Sequence, residues 1–475
     1  MNSKIDFRNK KVLVMGLGVL GGGLAVTKWL VKHGAKVTVT DLKTKRELKT
    51  PFQELGKLKS KITLVLGRHR ESDFRNNEMI VVNPGVPKES KFLKIAKKNN
   101  AAIENEASLF FRFCPPQRDE ISPSADKNPI IAVTGTRGKT TTANWIYHFL
   151  KKKYPKAVLT GNSSDNPMLN ILDKLDGKSP VVVELSSWQL ELLPKSGKAP
   201  HIAVITNLYR DHMNRHKNMR NYALAKANIF SDQNKNNYLI LNKNNSWTKF
   251  FLKLKPQAKI IYFPNKGIVN SELRIKNFES KYGKHNLENL SIAILVARKI
   301  GVSDSQIKGT IKNLPQVKYR EEIIYQKKGL TVVNDSTATS PDATIAALRR
   351  FGKHGKIILI SGGTDKELEF NEWARMVKKY VKPENLYLLN GSATKKMIMA
   401  LLHFAYFKKE KPQLFEDLKI ILMRIKNKEL RIKNIKKNKR SIIHNSKFII
   451  LFSPSSASFE KFKNEFDRGE KFNLY

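Results

Sequence analysis

Cysteine is nearly absent: Cys114 stands alone among 475 residues, which excludes a disulfide framework and a cysteine-ligated metal cluster. Long apolar runs are missing as well. Those present, such as Ile357 to Ile360 and Phe448 to Phe452, are strand-sized and far short of the roughly 18 residues of a membrane span. The basic opening MNSKIDFRNK leads into a short apolar run and then a glycine turn, the order of a strand and not of a signal peptide. A soluble cytoplasmic protein without membrane insertion is expected. Acidic residues are scarce, 41 Asp and Glu against 88 Lys and Arg, for a net charge of +47. Nucleic acid, an anionic membrane surface or a polyanionic substrate would each suit that charge. The lysines are spread along the whole chain, however, which fits a drift of composition toward Lys, Asn and Ile and not a dedicated patch.

What is present suffices to fold. Hydrophobic residues make up 40% of the chain and aromatic residues 9%, and at roughly 150 residues per domain the length allows about three domains. The first third alternates KKVLVMG, AKVTVTD and EMIVVNPG with helical stretches such as Leu24 to His33, the pattern of a parallel sheet with crossover helices. The Pro-, Ser- and charge-rich stretch from Cys114 to Pro129 reads as a linker. A second α/β unit opens with PIIAVTGTRGKTTTANWIYHFL and continues through PVVVELSS and HIAVITN. Near Pro315 to Tyr319 the chain changes again, and LTVVNDS, KIILISGG, NLYLLNG and FIILFSP supply four more strand-then-turn units. Domains are therefore expected at residues 1–114, 115–316 and 317–475.

Residues 419–447 break this pattern. They are almost purely Lys, Arg, Asn and Ile, with Arg-Ile-Lys-Asn at 424–427 repeated at 431–434, and read as an exposed basic helix or insertion. No aromatic interleaves the charges to stack on bases, so no specific nucleic-acid partner is expected.

Thr134-Gly135-Thr136-Arg137-Gly138-Lys139-Thr140 follows an apolar strand and opens a helix, the setting of a phosphate-binding loop. Glycines let backbone N–H groups converge on phosphate oxygens, the helix N-terminus adds a positive field, Lys139 neutralises the β/γ-phosphates and Thr140 can ligate Mg²⁺. Val133 stands where the general pattern has its first Gly. In open α/β sheets ligands collect at the carboxyl edge. There Glu184 ends PVVVE and His212 follows HIAVITN, so a carboxylate and an imidazole at two strand ends could hold a divalent ion. In the first unit, Gly16-Leu17-Gly18-Val19-Leu20-Gly21 follows a strand and Asp41 ends the next, which also fits a dinucleotide fingerprint.

Four separated motifs, Thr134–Thr141, Glu184-Leu185-Ser186-Ser187-Trp188-Gln189-Leu190-Glu191, Asp211-His212-Met213 and Asn334-Asp335-Ser336, resemble the Mur ligase family. Ser453-Pro454-Ser455-Ser456-Ala457-Ser458-Phe459, with Phe462-Lys463-Asn464 and Arg468-Gly469, is similar to the pattern of its members that add D-glutamate. The likeness runs through all three expected domains, and only the basic segment lies outside it. It implies an α/β protein with a Rossmann-like N-terminal domain for a UDP-sugar, a central P-loop ATPase-type domain with a mostly parallel sheet, and a C-terminal Rossmann-like domain for the amino acid. The implied activity is ATP-dependent amide ligation in peptidoglycan precursor synthesis: ATP phosphorylates the carboxylate of UDP-N-acetylmuramoyl-L-alanine, and the amine of D-glutamate attacks the acyl phosphate.

The resemblance also implies residue roles. Lys139, Glu184, His212 and Lys226 are the catalytic set, and the loop Gly135, Thr136, Arg137, Gly138, Lys139, Thr140 and Thr141 holds ATP with Asn286, Asn289, Arg320 and Asp335. Thr140, Glu184, His212 and a carbamylated Lys226 would hold two Mg²⁺ ions. Val19, Leu20 and Asp41 are expected around uridine, Asn83, Gly85 and Asn162 near the diphosphate, and Ser186 and Gln189 on the same substrate. Thr337, Lys366, Ser458 and Phe459 are expected around the acceptor amino acid in a monomeric enzyme. The sequence departs from the family at Ser163-Ser164, Asn214, Tyr319 and above all Thr337, which replaces a lysine expected to hold the D-glutamate side chain. A sibling ligase with another acceptor is the near alternative, and the glycine-rich first unit argues against folate-type glutamate ligation. A basic nucleic-acid-binding protein would explain the charge and none of the loops. An NAD-dependent oxidoreductase would explain Gly16 to Asp41 but not the Lys139 loop.

Overall fold

The computed structural model describes residues 5–18, 21–114, 129–162, 166–193, 198–264, 278–327, 329–408, 410–427 and 447–475. Their strands form three α/β sheets. The first comprises β1 (Lys11–Met15), β2 (Lys36–Asp41), β3 (Thr63–Leu66), β4 (Met79–Val82) and β5 (Ala102–Glu104), in the order β3-β2-β1-β4-β5 and parallel throughout. The second comprises β6 (Ile130–Thr134), β7 (Val158–Gly161), β8 (Val181–Glu184), β9 (Ile202–Ile205), β10 (Tyr238–Asn242) and β11 (Lys259–Phe263), in the order β11-β10-β9-β6-β8-β7 and again parallel. Its central strands IIAVT, VVVE and IAVI are buried along their whole length, as expected for parallel strands covered by helices on both faces. The third comprises β12 (Glu322–Lys327), β13 (Leu330–Asn334), β14 (Lys356–Gly362), β15 (Val381–Leu389), β16 (Gln413–Phe415) and β17 (Phe448–Phe452), in the order β12-β13-β17-β14-β15-β16, with only β12 antiparallel to its neighbour. The α/β class and the mostly parallel sheets are as the sequence led one to expect. The apolar patterning missed β3, β5, β7, β10, β11, β12 and β16.

The chain divides into two compact units, Met1–Arg274 with Glu288–Leu314, and Ile275–Leu287 with Pro315–Tyr475. In the first, one continuous core runs from Val14, Trp29 and Phe110 to Val183, Ile205 and Leu241, so two sheets share it. Polar ties support that junction: Asn105 Nδ2 donates to the Gln189 carbonyl at 2.8 Å, and Lys32 pairs with Asp173. In the second unit Leu348, Leu359 and Trp373 pack on one sheet face and Ile360, Tyr387 and Phe452 on the other.

The basic segment begins differently from the sequence expectation. Residues 418–427 are helical, with Leu418, Ile421 and Ile425 buried on the second of those faces. Their i, i+3/i+4 spacing is a core stripe hidden among lysines. Residues 428–446, with the second Arg-Ile-Lys-Asn copy, and most of the expected linker, 115–128, lie outside the described residues. Among the described residues no helix is long and apolar enough to cross a membrane.

Candidate active site

In each sheet several candidate residues follow the carboxyl ends of neighbouring central strands, the edge at which open α/β sheets bind ligands where strand order switches. In the first sheet these are the glycine turn after β1 and Asn83 after β4. Asp41 Oδ2 accepts from Gly18 N at 3.1 Å and its Oδ1 from Lys43 N at 2.9 Å, so the carboxylate fixes the turn. Gly18 has φ +68, and a Cβ there would stand 2.7 Å from Asn83 Nδ2, so the side chain of Asn83 fills the space the glycine leaves. Asn83 Oδ1 in turn accepts from Gly85 N at 3.2 Å. Asp41, Asn83 and Gly85 are thus brought together, whereas Val19 and Leu20 lie outside the described residues.

In the second sheet the loop after β6 is flanked by the ends of β9 and β8. Asn207 and Thr206, which follow β9, hold the loop's shape: Asn207 Oδ1 accepts from Arg137 N at 2.8 Å, and Thr206 Oγ1 donates to the Arg137 carbonyl at 2.6 Å. Gly138 caps the helix Lys139–Leu150 at φ +78, and a Cβ on it would sit 2.3 Å from Asn289 Oδ1. Asn289 is itself fixed by Thr142, whose hydroxyl donates to it at 3.1 Å. Lys139 Nζ donates back to the Thr136 carbonyl at 3.2 Å, and Asn144 Nδ2 donates to the Thr140 carbonyl at 2.9 Å. Asn286 starts the helix Asn286–Lys299 and donates to the Tyr282 carbonyl.

Around this loop lie the other candidates. Glu184 ends β8, and its carbonyl accepts from Asn162 N at 2.8 Å. His212 has a left-handed backbone, φ 57, and its N–H donates to Asp211 Oδ1 at 2.8 Å, while Asp211 Oδ2 pairs with Arg137 at 2.8 Å. Tyr222 sits at the centre: its hydroxyl is 3.3 Å from Thr136 Oγ1, its ring meets that of His212 at 6.0 Å, and Lys226 Nζ stands 4.7 Å over it. Lys226 is 1% exposed and donates to the Gly135 carbonyl at 2.9 Å, with no carboxylate in ion-pair contact among the described residues. Burial, then the nearby Lys139 ammonium, hold its pKa well below the ordinary lysine value. The neutral amine so favoured is the form that reacts with CO₂. Among the described residues no group of three His, Cys, Asp or Glu side chains gathers to hold a metal. The Thr140 hydroxyl, the Glu184 carboxylate and the His212 imidazole could each offer a donor to Mg²⁺, and Lys226 could do so only as a carbamate.

Ser186 and Gln189 bond each other in a capping box, Ser186 N and Oγ both donating to Gln189 Oε1 at 2.9 Å. In the second unit, Asp335 Oδ1 accepts from Glu321 N at 3.0 Å and Oδ2 from Ser453 Oγ at 2.7 Å, with burial and the Glu321 carboxylate pushing its pKa up. Arg320 lies between Tyr319 and Glu321, both at positive φ. Thr337, expected near the acceptor amino acid, donates its hydroxyl to the carbonyl of Tyr319, a residue at positive φ, at 2.7 Å. Lys366 is half-buried after β14; Ser458 is buried with its hydroxyl unbonded among the described residues, and Phe459 is exposed. Arg468, fully buried, donates to the carbonyls of Ser336, Ser456 and Ala457 and so joins two of the motifs.

Sequence reasoning gave no role to Thr206, Asn207, Asp211, Tyr222 or Arg468. Their only signal was position, just past a strand or inside a recognised motif.

A model of the Mur ligase middle domain matches residues 133–297, and one of the Mur ligase MurD-like N-terminal domain matches residues 10–104. The chain belongs to the Mur ligase family. It is similar to the UDP-N-acetylmuramoylalanine--D-glutamate ligase of Borreliella afzelii (strain PKo), at 36% identity over 98% of this chain and 97% of that one. The same-named ligase of Roseiflexus sp. (strain RS-1) is 34% identical over 98% of each. Among solved structures, MurF ligase from Thermotoga maritima in complex with ADP shares the fold, with a TM-score of 0.53 at 14% identity over 100% of this chain and 96% of that one.

Proposed function

We propose that this chain is the ATP-dependent ligase that joins D-glutamate to UDP-N-acetylmuramoyl-L-alanine in peptidoglycan precursor synthesis, acting as a cytoplasmic monomer on small-molecule substrates without a nucleic-acid partner. The observation that supports the reading is the packing of Thr136 of the Lys139 loop, His212 and Lys226 around Tyr222, with Glu184 and Lys139 close enough to Lys226 to act on its charge. Lys139 and the loop amides hold the β- and γ-phosphates, where charge builds up as the phosphoryl group moves to the substrate carboxylate. Two Mg²⁺ ions, held by Thr140, Glu184, His212 and carbamylated Lys226, would neutralise that charge further. Asn286, Asn289, Arg320 and Asp335 bind the nucleotide. The first sheet, with Val19, Leu20, Asp41, Asn83 and Gly85, takes the UDP part, and Asn162, Ser186 and Gln189 orient the rest. The incoming amine then displaces phosphate from the acyl phosphate.

The acceptor's side-chain carboxylate needs a cation when water is excluded. With the Thr337 hydroxyl directed at Tyr319, that role falls to Lys366, with Ser458 and the Phe459 backbone as hydrogen-bond donors. D-Glutamate is therefore expected to give the fastest turnover in a panel of amino acids, with Lys366→Ala strongly impaired and Thr337→Lys neutral or tighter. Faster turnover with a neutral or basic acceptor would transfer the assignment to a sibling ligase.

Gly138→Ala tests the loop. A side chain in this left-handed position costs about 1–2 kcal/mol and must also displace Asn289, so ATP is expected to bind at least about tenfold more weakly. Calorimetric titration with ATP measures this, and unchanged affinity would show that the loop does not carry the nucleotide.

A further inference from the structure

His212 and the Glu184 segment are both followed by one-turn helices. His212 caps Met213–His216, and Ser187–Leu190 begins shortly after Glu184. One turn of hydrogen bonds does not offset the entropy of nucleation, so contacts outside these helices must fix their direction. One contact common to both is Glu191, whose side chain is 2% exposed. It follows the second helix directly and accepts from Arg215, on the first, at 2.6 Å from Nη2 and 3.4 Å from Nε. His216 Nδ1 is 3.4 Å from the same carboxylate, and His216 Nε2 is 3.0 Å from Ser187 Oγ, so the helices are laced together twice. The Arg215 guanidinium lies 5.1 Å over the Trp188 ring, which meets the His212 ring at 5.7 Å. The cluster also grips the first sheet. Lys88 Nζ stands 3.4 Å from Glu191, and Arg215 Nη1 donates to the Val86 carbonyl at 2.5 Å. Val86 and Lys88 belong to the loop that carries Asn83 and Gly85.

We propose that Glu191 is a positioning residue of the ligation reaction: through Arg215 and Lys88 it sets the Asn83 loop in register with His212, so that the carboxylate of the sugar-nucleotide meets the transferring phosphoryl group. The inference rests on the ligase reading above. Glu191 acts by holding two segments that approach different ends of one substrate. A misplacement of about 1 Å costs on the order of a hundredfold in rate, whereas a carboxylate that merely stabilises the fold would change melting temperature and leave the folded enzyme's kinetics alone.

Steady-state kinetics and melting curves of Glu191→Gln, Glu191→Asp and Lys88→Met test it. Glu191→Gln is expected to lower kcat by about tenfold to a hundredfold per folded molecule, with the KM for ATP within about twofold of wild type. Glu191→Asp should recover part of that loss. Lys88 is about half exposed, so Lys88→Met should keep the melting temperature while raising the KM for UDP-N-acetylmuramoyl-L-alanine about threefold, with the KM for ATP unchanged. Should Glu191→Gln fail to fold, Lys88→Met decides. Unchanged kcat and both KM values in the folded variants would overturn the inference while leaving the ligase reading intact. A wild-type enzyme inactive on these substrates would overturn that reading, and this inference with it.

Discussion

Lys139→Ala is expected to abolish turnover, by about a thousandfold or more, in a protein that still folds. The loop's shape is held from neighbouring elements by Asn207, Thr206 and Asn289, while the Lys139 ammonium donates to the Thr136 carbonyl within the loop. Removing the cation therefore leaves the cradle standing and the transferring phosphoryl charge uncompensated. ADP production by circular-dichroism-verified protein measures the effect. Normal ADP output would sink the assignment of the phosphate loop.

Lys226→Ala should be nearly as damaging, for a different reason. An ammonium cannot ligate Mg²⁺, whereas a carbamate presents two hard oxygens, and the buried position favours the neutral amine that forms it. Intact-protein mass spectrometry should find one added CO₂ on the wild type and none on Lys226→Ala, and short carboxylates should restore part of the lost activity. The same burial has a signature in stability. The folded pKa lies below the unfolded one, so over that interval the unfolded chain binds more protons and stability rises with pH. Lys226→Met is expected to unfold at higher denaturant in CO₂-free buffer at neutral pH and to flatten that rise. Full activity of Lys226→Ala, together with indifference to bicarbonate, would show that the position holds no metal ligand.

Legibility followed from how local each signal was. The loop after β6 was readable because strand, glycines, Lys139 and helix are contiguous, and each element constrains the next. Lys226 was readable only through family resemblance: nothing local distinguishes it from the chain's many other lysines until burial does. Tyr222, Asp211 and Asn207 were not readable as site residues, since their roles arise from β9 lying beside β6, a pairing no local pattern encodes. The short strands β5 and β16 offer three residues each, too few to show a period. Residues 418–427 looked like the start of a charged insertion because the lysines and arginines outweigh a stripe that only a sheet face reveals as core. The bond that Thr337 makes was not readable, since the Tyr319 carbonyl that takes its hydroxyl follows a positive φ, where a non-glycine side chain gives no warning.

The acyl-phosphate route is tested most directly by following oxygen. UDP-N-acetylmuramoyl-L-alanine is labelled with heavy oxygen in its carboxylate and incubated with ATP, Mg²⁺ and D-glutamate. If the carboxylate attacks the γ-phosphorus and the amine then expels phosphate, each released phosphate carries one labelled oxygen and the coproduct is ADP. Unlabelled phosphate, or release of pyrophosphate and AMP, would contradict the mechanism.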